Sequence, residues 1–379
     1  MEICQRCSNI DPYYFYKGHK GVYCRKCISF KRQLLLEDIQ VEEDEITISD
    51  GSYKLNYQLT KLQKEVSKQC LKYIKYSDVL LHCVCGAGKT EIMLETIKYY
   101  LDNNKKVCFA IPRRQVVLQI YDRLSKLYKG SKVIRVALGF NKDLYGDLTI
   151  CTTHQLYRYH QRFDLLILDE PDAYPYKGND ILQSIALNSV KGNIIYSTAT
   201  IDQQLQDKVT NNTIKYLALN KRPHNYPLPI PIVYKGPKLY LHYQLIKFIN
   251  KYHKRIIIFV PSIKKAKSYH HIYKHLYNTY YLTSKSNNKN QIIDDFINNK
   301  YDILFSTTIL ERGITISNIS VIIIYGEHII YDKASIIQML GRVGRSFDYP
   351  IGNCMILNNR YSINTNSAIK ELIKANESM

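Results

Sequence analysis

The sequence has no tryptophan, only 16 glycines and 11 prolines in 379 residues, and 33 acidic side chains set against 53 basic ones. No apolar run approaches the ~20 residues that a membrane-spanning helix needs; the longest are stretches such as Ile256 to Val260 and Val321 to Ile324. A transmembrane segment is therefore not expected. The start, Met1-Glu2-Ile3-Cys4, lacks the basic-then-apolar pattern of a secretory signal. The expectation is a cytoplasmic protein with reduced thiols, whose ten cysteines serve something other than disulfides. Internal repeats at the solenoid periods are also missing.

The content that is present narrows the class further. Hydrophobic residues make up 45% of the chain, which excludes a disordered polycation, and the length allows two or three domains with their own cores. A net charge of +20 points to a polyanionic partner. The 34 tyrosines, with many Ile, Asn and Lys, carry the slant of an AT-rich coding sequence, so part of the lysine excess belongs to solvated faces. The charge is uneven: residues 1 to 32 hold seven Lys or Arg and two acids, and residues 33 to 53 hold seven acids and no base. Glu42-Glu43-Asp44-Glu45 repels itself, so 33–53 reads as an acidic linker after a small module at 1–32. Five prolines between Pro223 and Pro237 read as a stiff connector over 221–238, between bodies at 54–220 and 239–379.

In both bodies short apolar runs alternate with helical-length stretches, the pattern of parallel sheets built from strand-helix-strand units. Strands are expected at Val79 to His82, Val107 to Ile111, Val133 to Leu138, Leu148 to Thr152, Leu165 to Asp169 and Ile194 to Ser197. The second body adds Ile256 to Val260, Asp302 to Ser306, Val321 to Tyr325 and Asn353 to Leu357. The fold class is α/β, with two parallel-sheet lobes and a small N-terminal module.

Three segments carry phosphate chemistry. After the first strand comes Cys83-Val84-Cys85-Gly86-Ala87-Gly88-Lys89-Thr90, then a helical stretch. Such a loop turns main-chain N–H groups (Cys85, Gly86, Ala87, Gly88) toward phosphate oxygens, with Lys89 on the β and γ phosphates and Thr90 on magnesium. Leu166-Ile167-Leu168-Asp169-Glu170-Pro171-Asp172 is apolar and then acidic, so its carboxylates emerge at the carboxyl edge of a sheet. Asp169 is expected to hold magnesium and Glu170 to orient or deprotonate the attacking water. In Gln338-Met339-Leu340-Gly341-Arg342-Val343-Gly344-Arg345, the arginines are placed to reach a γ-phosphate held by the other lobe.

Taken in order, these motifs resemble the superfamily-two helicases and translocases, whose motor is two RecA-like lobes. The resemblance implies that Asp172, Thr198 and Thr200 couple hydrolysis to movement, that Gln338 acts with Arg342 and Arg345, and that Gln63 reads adenine. It implies nucleic-acid backbone contacts at Pro112, Arg113, Thr152 and Thr153 in the first lobe, and at Pro261, Thr307, Thr308, Glu311, Arg312 and Gly313 in the second. Gly88-Lys89-Thr90-Glu91, the run Asp169 to Pro175 and Ile309-Leu310-Glu311-Arg312-Gly313, together with an N-terminal four-cysteine module, look like the ComFA family of late-competence motors. Cys83, Cys85 and Pro171 depart from the general motor pattern.

Cys4-x2-Cys7, sixteen residues, then Cys24-x2-Cys27 is the spacing of a four-thiolate zinc site. In a module of fewer than ~40 residues such a metal supplies folding free energy outright. Cys70, Cys83, Cys85, Cys108, Cys151 and Cys354 read as buried small hydrophobes. Tyr13, Tyr14, Phe15, Tyr16 and Tyr23 interleave with Lys17, Lys20, Arg25 and Lys26. That composition suits base stacking, covering of the zinc knuckles and protein docking alike.

The expected function is an ATP- and magnesium-dependent motor on single-stranded DNA that drives import of transforming DNA. The family likeness implies cytosolic competence partners, a membrane uptake channel and a location at the inner face of the cytoplasmic membrane. An RNA helicase and a non-processive, ATP-clamped DNA-binding scaffold are the alternatives; motor motifs grip phosphates and separate RNA only through 2′-hydroxyl contacts.

Overall fold

The computed structural model describes residues 2–31, 34–35, 48–252, 255–311 and 316–379. It divides into two compact units, Met1–Cys83 with Gly88–Leu219, and Val84–Ala87 with Asn220–Met379. Most of the acidic stretch, including Glu42 to Glu45, lies outside the described residues.

The first unit opens with an antiparallel hairpin, β1 (Phe15–Gly18) and β2 (Gly21–Cys24). Then follow α1 (Lys61–Ile74), β3 (Val79–Cys83), α2 (Lys89–Asp102), β4 (Val107–Ile111), α3 (Arg114–Leu127), β5 (Val133–Val136) and β6 (Leu148–Thr152). The unit closes with β7 (Phe163–Asp169), α4 (Asp180–Ser189), β8 (Val190–Thr198), α5 (Gln203–Thr210) and β9 (Lys215–Leu219). The seven larger strands pair in parallel in the order β5-β6-β4-β7-β8-β3-β9. β4 and β6 are buried at every position, because helices cover both faces of a parallel sheet and leave no polar alternation.

The second unit runs β10 (Ile232–Lys235), α6 (Lys238–Tyr252), β11 (Ile256–Phe259), α7 (Ile263–Tyr273), β12 (Thr279–Leu282), α8 (Lys289–Ile297) and β13 (Ile303–Ser306). It ends with β14 (Ser320–Ile324), α9 (Lys333–Leu340), β15 (Cys354–Asn358) and α10 (Ile363–Glu377). Its six strands, also parallel, lie in the order β10-β15-β14-β11-β13-β12.

Besides the β1–β2 hairpin, three strands of the parallel sheets went unannounced by the apolar pattern: β9, β10 and β12. Each is an edge strand in which exposed or half-buried positions interrupt the apolar run. The proline-rich connector is likewise more ordered than expected, since Ile232–Lys235 completes the second sheet. Leu228 exchanges two hydrogen bonds with Asn376 of α10, at 2.7 and 3.0 Å.

The cysteine module, expected to be set apart by the acidic stretch, packs onto the first unit. Its cysteines share a hydrophobic cluster with Cys151, Leu156 and Leu182. Phe30 stacks on His154 with ring centroids 5.9 Å apart. Arg6 sits over the Tyr157 ring at 5.5 Å, and Asn188 Nδ2 donates to the Arg6 carbonyl at 3.1 Å. No helix among the described residues is long and apolar enough to cross a membrane.

Candidate phosphate site and cysteine cluster

Parallel pairing brings strand ends together. Ile111 lies beside Thr152, Asp169 beside Ser197, and His82 beside Thr198, so the segments after β3, β4, β6, β7 and β8 leave from one carboxyl edge. β3 ends at the buried Cys83. The chain then turns through Gly86 and Gly88, both at φ +85°, where a side chain would strain the backbone. A Cβ on Gly88 would also stand 2.5 Å from Gln63 Nε2. Gln63 is buried, its Oε1 accepting from Thr60 N–H in the capping box that starts α1.

Lys89, the first residue of α2, holds its Nζ 3.4 Å from Asp169 Oδ1, and Ser197 Oγ donates to the same oxygen at 2.9 Å. Burial pushes the Asp169 carboxyl above its usual range; the Lys89 ammonium opposes the rise and Glu170 adds to it. Thr90 is half-buried in the first turn of α2. Glu170 takes φ +56°, a left-handed backbone that its N–H bond to the Ser197 carbonyl at 2.8 Å helps to hold. Buried Asp172 accepts from Thr198 Oγ1 at 2.6 Å and Thr200 Oγ1 at 2.7 Å, joining the acidic segment to the loop after β8. A lysine, the turn glycine Gly88 and adjoining carboxylates on one edge suit a magnesium-bound polyphosphate, with Lys89 and Asp169 compensating each other's charge.

In the second unit α9 ends at Leu340, so Arg342 and Arg345 stand in the turns beyond its C-terminus. Gln338 is buried; its Oε1 accepts from the Cys85 thiol at 3.3 Å, while its Nε2 has no hydrogen-bond partner among the described residues. Arg342 Nε donates to the Glu311 carbonyl at 3.2 Å and Arg345 Nε to the Gly341 carbonyl at 2.8 Å.

Arg222, which sequence reasoning missed, is 1% exposed. Its guanidinium donates to the carbonyls of Cys85 (2.8 Å), Val343 (2.7 Å), Gly344 (2.8 Å) and Gly341 (3.1 Å). Burial, with the Arg345 charge adding to it, pulls Arg222 down to about 10, so it stays cationic at neutral pH. One side chain thus clamps the glycine turn and the arginine-bearing turn of this unit. The sequence signal, Lys221-Arg222-Pro223, is indistinguishable from surface charge.

The residues expected to grip nucleic acid are unevenly accessible. Pro112, Thr152, Thr153, Pro261 and Glu311 are buried, and the Thr153 hydroxyl has no hydrogen-bond partner among the described residues. Side-chain contacts at Thr152 and Thr153 are therefore not available in this conformation. Arg113, Thr307 and Thr308 are half-buried, while Arg312 and Gly313 lie outside the described residues.

Cys4, Cys7, Cys24 and Cys27 are buried, with all four Sγ atoms within 4.8 Å of one another. Cys4 to Cys27 and Cys7 to Cys24 are each 3.8 Å apart, matching the ~3.8 Å edge of a tetrahedron with zinc–sulfur bonds of about 2.3 Å. Hydrogen bonding from Cys27 drives the Cys4 thiol down while Cys27 is pushed up, as crowded sulfurs do when one carries the charge for several. The donor set fits zinc. The other six cysteines are buried.

Family comparisons agree with this division. The model described as "Type III restriction enzyme, res subunit" matches residues 56–203, and "Helicase conserved C-terminal domain" matches 240–347. Competence protein ComFA of Streptococcus pneumoniae is 33% identical over 99% of this chain and 90% of its own length. Competence protein ComFA of Bacillus subtilis is 30% identical over 92% of this chain and 80% of its own. Among solved structures, Saccharomyces cerevisiae Dbp5 bound to RNA and ADP BeF3 superposes with a TM-score of 0.63 at 17% identity, covering 85% of this chain and 88% of that one. That likeness identifies the fold: two RecA-like parallel-sheet units.

Proposed function

The chain belongs to the ComFA family of competence proteins, and from that premise we propose that it is an ATP- and magnesium-dependent motor on single-stranded DNA, serving the import of transforming DNA. One observation carries the reading: Lys89, Asp169 and the Asp172–Thr198–Thr200 network stand on a single carboxyl edge of a parallel sheet. ATP with magnesium, when bound, supplies the phosphoanhydride bond to be cleaved. Lys89 neutralises phosphate oxygens, and Thr90 and Asp169 would hold the magnesium ion. Glu170 orients the attacking water and takes its proton at a carboxylate oxygen. Gln338, Arg342 and Arg345 answer charge that develops on the phosphoryl group. Asp172, released or reset through Thr198 and Thr200, transmits turnover to backbone grips that include Arg113, Thr307 and Thr308. Such grips recognise phosphates, so binding is largely sequence-independent and weakens steeply with salt. Cytosolic competence proteins and an uptake channel at the inner face of the membrane are its proposed partners.

The test is ATP turnover with single-stranded DNA, duplex DNA and RNA side by side, for the wild type and Lys89→Ala. Single-stranded DNA is expected to stimulate the wild type most and to leave Lys89→Ala without turnover. Stimulation of Lys89→Ala equal to wild type overturns the ATP site; preferential stimulation by RNA overturns the DNA assignment.

A further inference from the structure

The aromatic residues of the cysteine module admit two uses, covering the sulfurs or stacking bases, and burial separates them. Tyr23 is 8% exposed, and Tyr14, Phe15 and Phe30 pack half-buried against the cluster that contains the four cysteines. Tyr13 and Tyr16, by contrast, are 82% and 47% exposed and so contribute little to covering metal ligands. Their inner neighbours hold them in place: Tyr13 meets Tyr14 edge-on at 5.2 Å, and Tyr16 meets its cross-strand partner Tyr23 at 5.6 Å.

Cations lie against two of the module's rings, Tyr16 and Tyr14. The Arg25 guanidinium lies 4.4 Å from the Tyr16 ring centre, and Lys26 Nζ lies 5.6 Å from that of Tyr14. Lys17 and Lys20, in and beside the hairpin turn, are exposed, and no acidic residue occurs from Pro12 to Lys31. The module is seated beside the segment after β6 that is expected to meet nucleic acid, in which Thr152 and Thr153 are buried but His154 is exposed. Phe30 stacks on His154, directly after Thr153 in the segment Thr153–Arg158 that follows β6.

Resting on the single-stranded DNA reading above, we propose that the exposed surface of the cysteine module, with Tyr13 in the turn before β1, Tyr16 on β1, and Arg25 and Lys26 just after β2, is a second single-stranded DNA site that extends the first unit's track onto the module. Exposed rings engage bases whose faces are free, which a duplex does not offer, while the neighbouring cations neutralise the phosphates that accompany those bases. Because the Arg25 guanidinium lies against the Tyr16 ring, a base stacked on the open side of that ring brings its phosphate close to a cation. The site adds hold without sequence preference, since every base presents a π-face.

The experiment uses the full chain with zinc bound and a fluorescent oligothymidylate, followed by anisotropy through a salt series. Tyr13→Ala with Tyr16→Ala is expected to weaken binding by roughly tenfold or more while keeping the salt slope. Arg25→Gln with Lys26→Gln is expected to flatten the slope of log affinity against log salt by about 0.7 per cation removed. Tyr13→Phe with Tyr16→Phe keeps the rings and retains affinity. Zinc content reports whether each variant remains folded; should the double alanine variant lose zinc, Tyr13→Ala alone carries the test, because a ring 82% exposed is dispensable to packing. Unchanged affinity and slope in every variant, with a wild type that binds the oligonucleotide, overturns this site and leaves the motor reading standing; that pattern is what a protein-docking face gives. A wild type that binds no single-stranded DNA overturns the motor reading, and this inference with it.

Discussion

The two parallel sheets handle interior charge in opposite ways. In the first unit Lys89 faces the carboxylate of Asp169 at 3.4 Å, with both groups partly exposed. In the second, Arg222 is almost wholly buried, and its four hydrogen bonds go to main-chain carbonyls. A lysine paired with a carboxylate is neutralised until a ligand redistributes the charges, so on the proposed motor reading its energetic role belongs to binding and turnover. An arginine satisfied by carbonyls has a planar fork fitted to several fixed acceptors, and its role belongs to architecture. The acidic edge is built to exchange partners, whereas the turns around Gly341 and Gly344 are built to stay in place.

The largest consequence concerns stability. Arg222→Ala takes the guanidinium donor from the buried carbonyls of Cys85 and Val343, leaves those of Gly341 and Gly344 only Arg345 and His224, and opens a cavity; the expected loss is about 3–5 kcal/mol. At roughly 2–4 °C per kcal/mol for a domain of this size, calorimetry should show the melting transition fall by about 10 °C. Lys89→Ala removes a partly solvated ion pair and is expected to cost about 1 kcal/mol or less. Equal melting temperatures for the two variants would erase the distinction between a ligand-directed and an architectural cation. Arg222→Lys retains charge without the fork and is expected to recover under half of the loss.

That contrast also marks how far the sequence alone could reach. The glycine turn, Lys89, Asp169-Glu170-Pro171-Asp172 and the paired cysteines are legible because their chemistry is written in contiguous spacing. Parallel strands such as β4 and β6 are legible because burial on both faces leaves an unbroken apolar run. Arg222 is not, because its acceptors lie about 120 to 137 positions away in sequence and are carbonyls that every residue possesses. Nor is the seat of the cysteine module, which depends on Phe30 meeting His154 across more than a hundred residues. The edge strands β9, β10 and β12 are obscured for a different reason: strands paired on one side and open on the other keep only part of the apolar pattern.

A middle-sized effect is expected at the Asp172–Thr198–Thr200 network, the proposed coupling element of the first unit. Thr200→Val removes one of two hydroxyl donors to the buried Asp172 carboxylate, and hydrogen bonds to charged groups contribute about 1.5–3 kcal/mol. The variant is expected to keep ATP binding while losing displacement of a protein bound to DNA more strongly than it loses ATP turnover. A parallel fall in both activities would place Thr200 with the catalytic groups instead of the coupling ones.

The smallest effect separates the units by pH, and its signs are opposite. In the second unit His242 stacks on Tyr269 at 5.5 Å with its Nδ1 2.8 Å from the Tyr273 hydroxyl; burial, followed by the Lys265 charge, holds it below its usual value of 6.5. A depressed histidine contributes stability that is complete above pH 6.5 and is lost as the pH falls through its folded value. In the first unit burial raises Asp169 above its usual value of 3.8. Its contribution is complete below pH 3.8 and is lost as the pH rises through the folded value. Melting curves should therefore show wild type losing ground to His242→Gln as the pH drops below about 6.5, the unperturbed histidine value. Over a lower range, the advantage of Asp169→Asn at neutral pH should shrink as the wild-type carboxyl protonates. If both gaps moved in the same direction, the acidic edge of the first unit would be as fully compensated as the carbonyl-bound turns of the second, and Lys89 would have no charge left to redistribute.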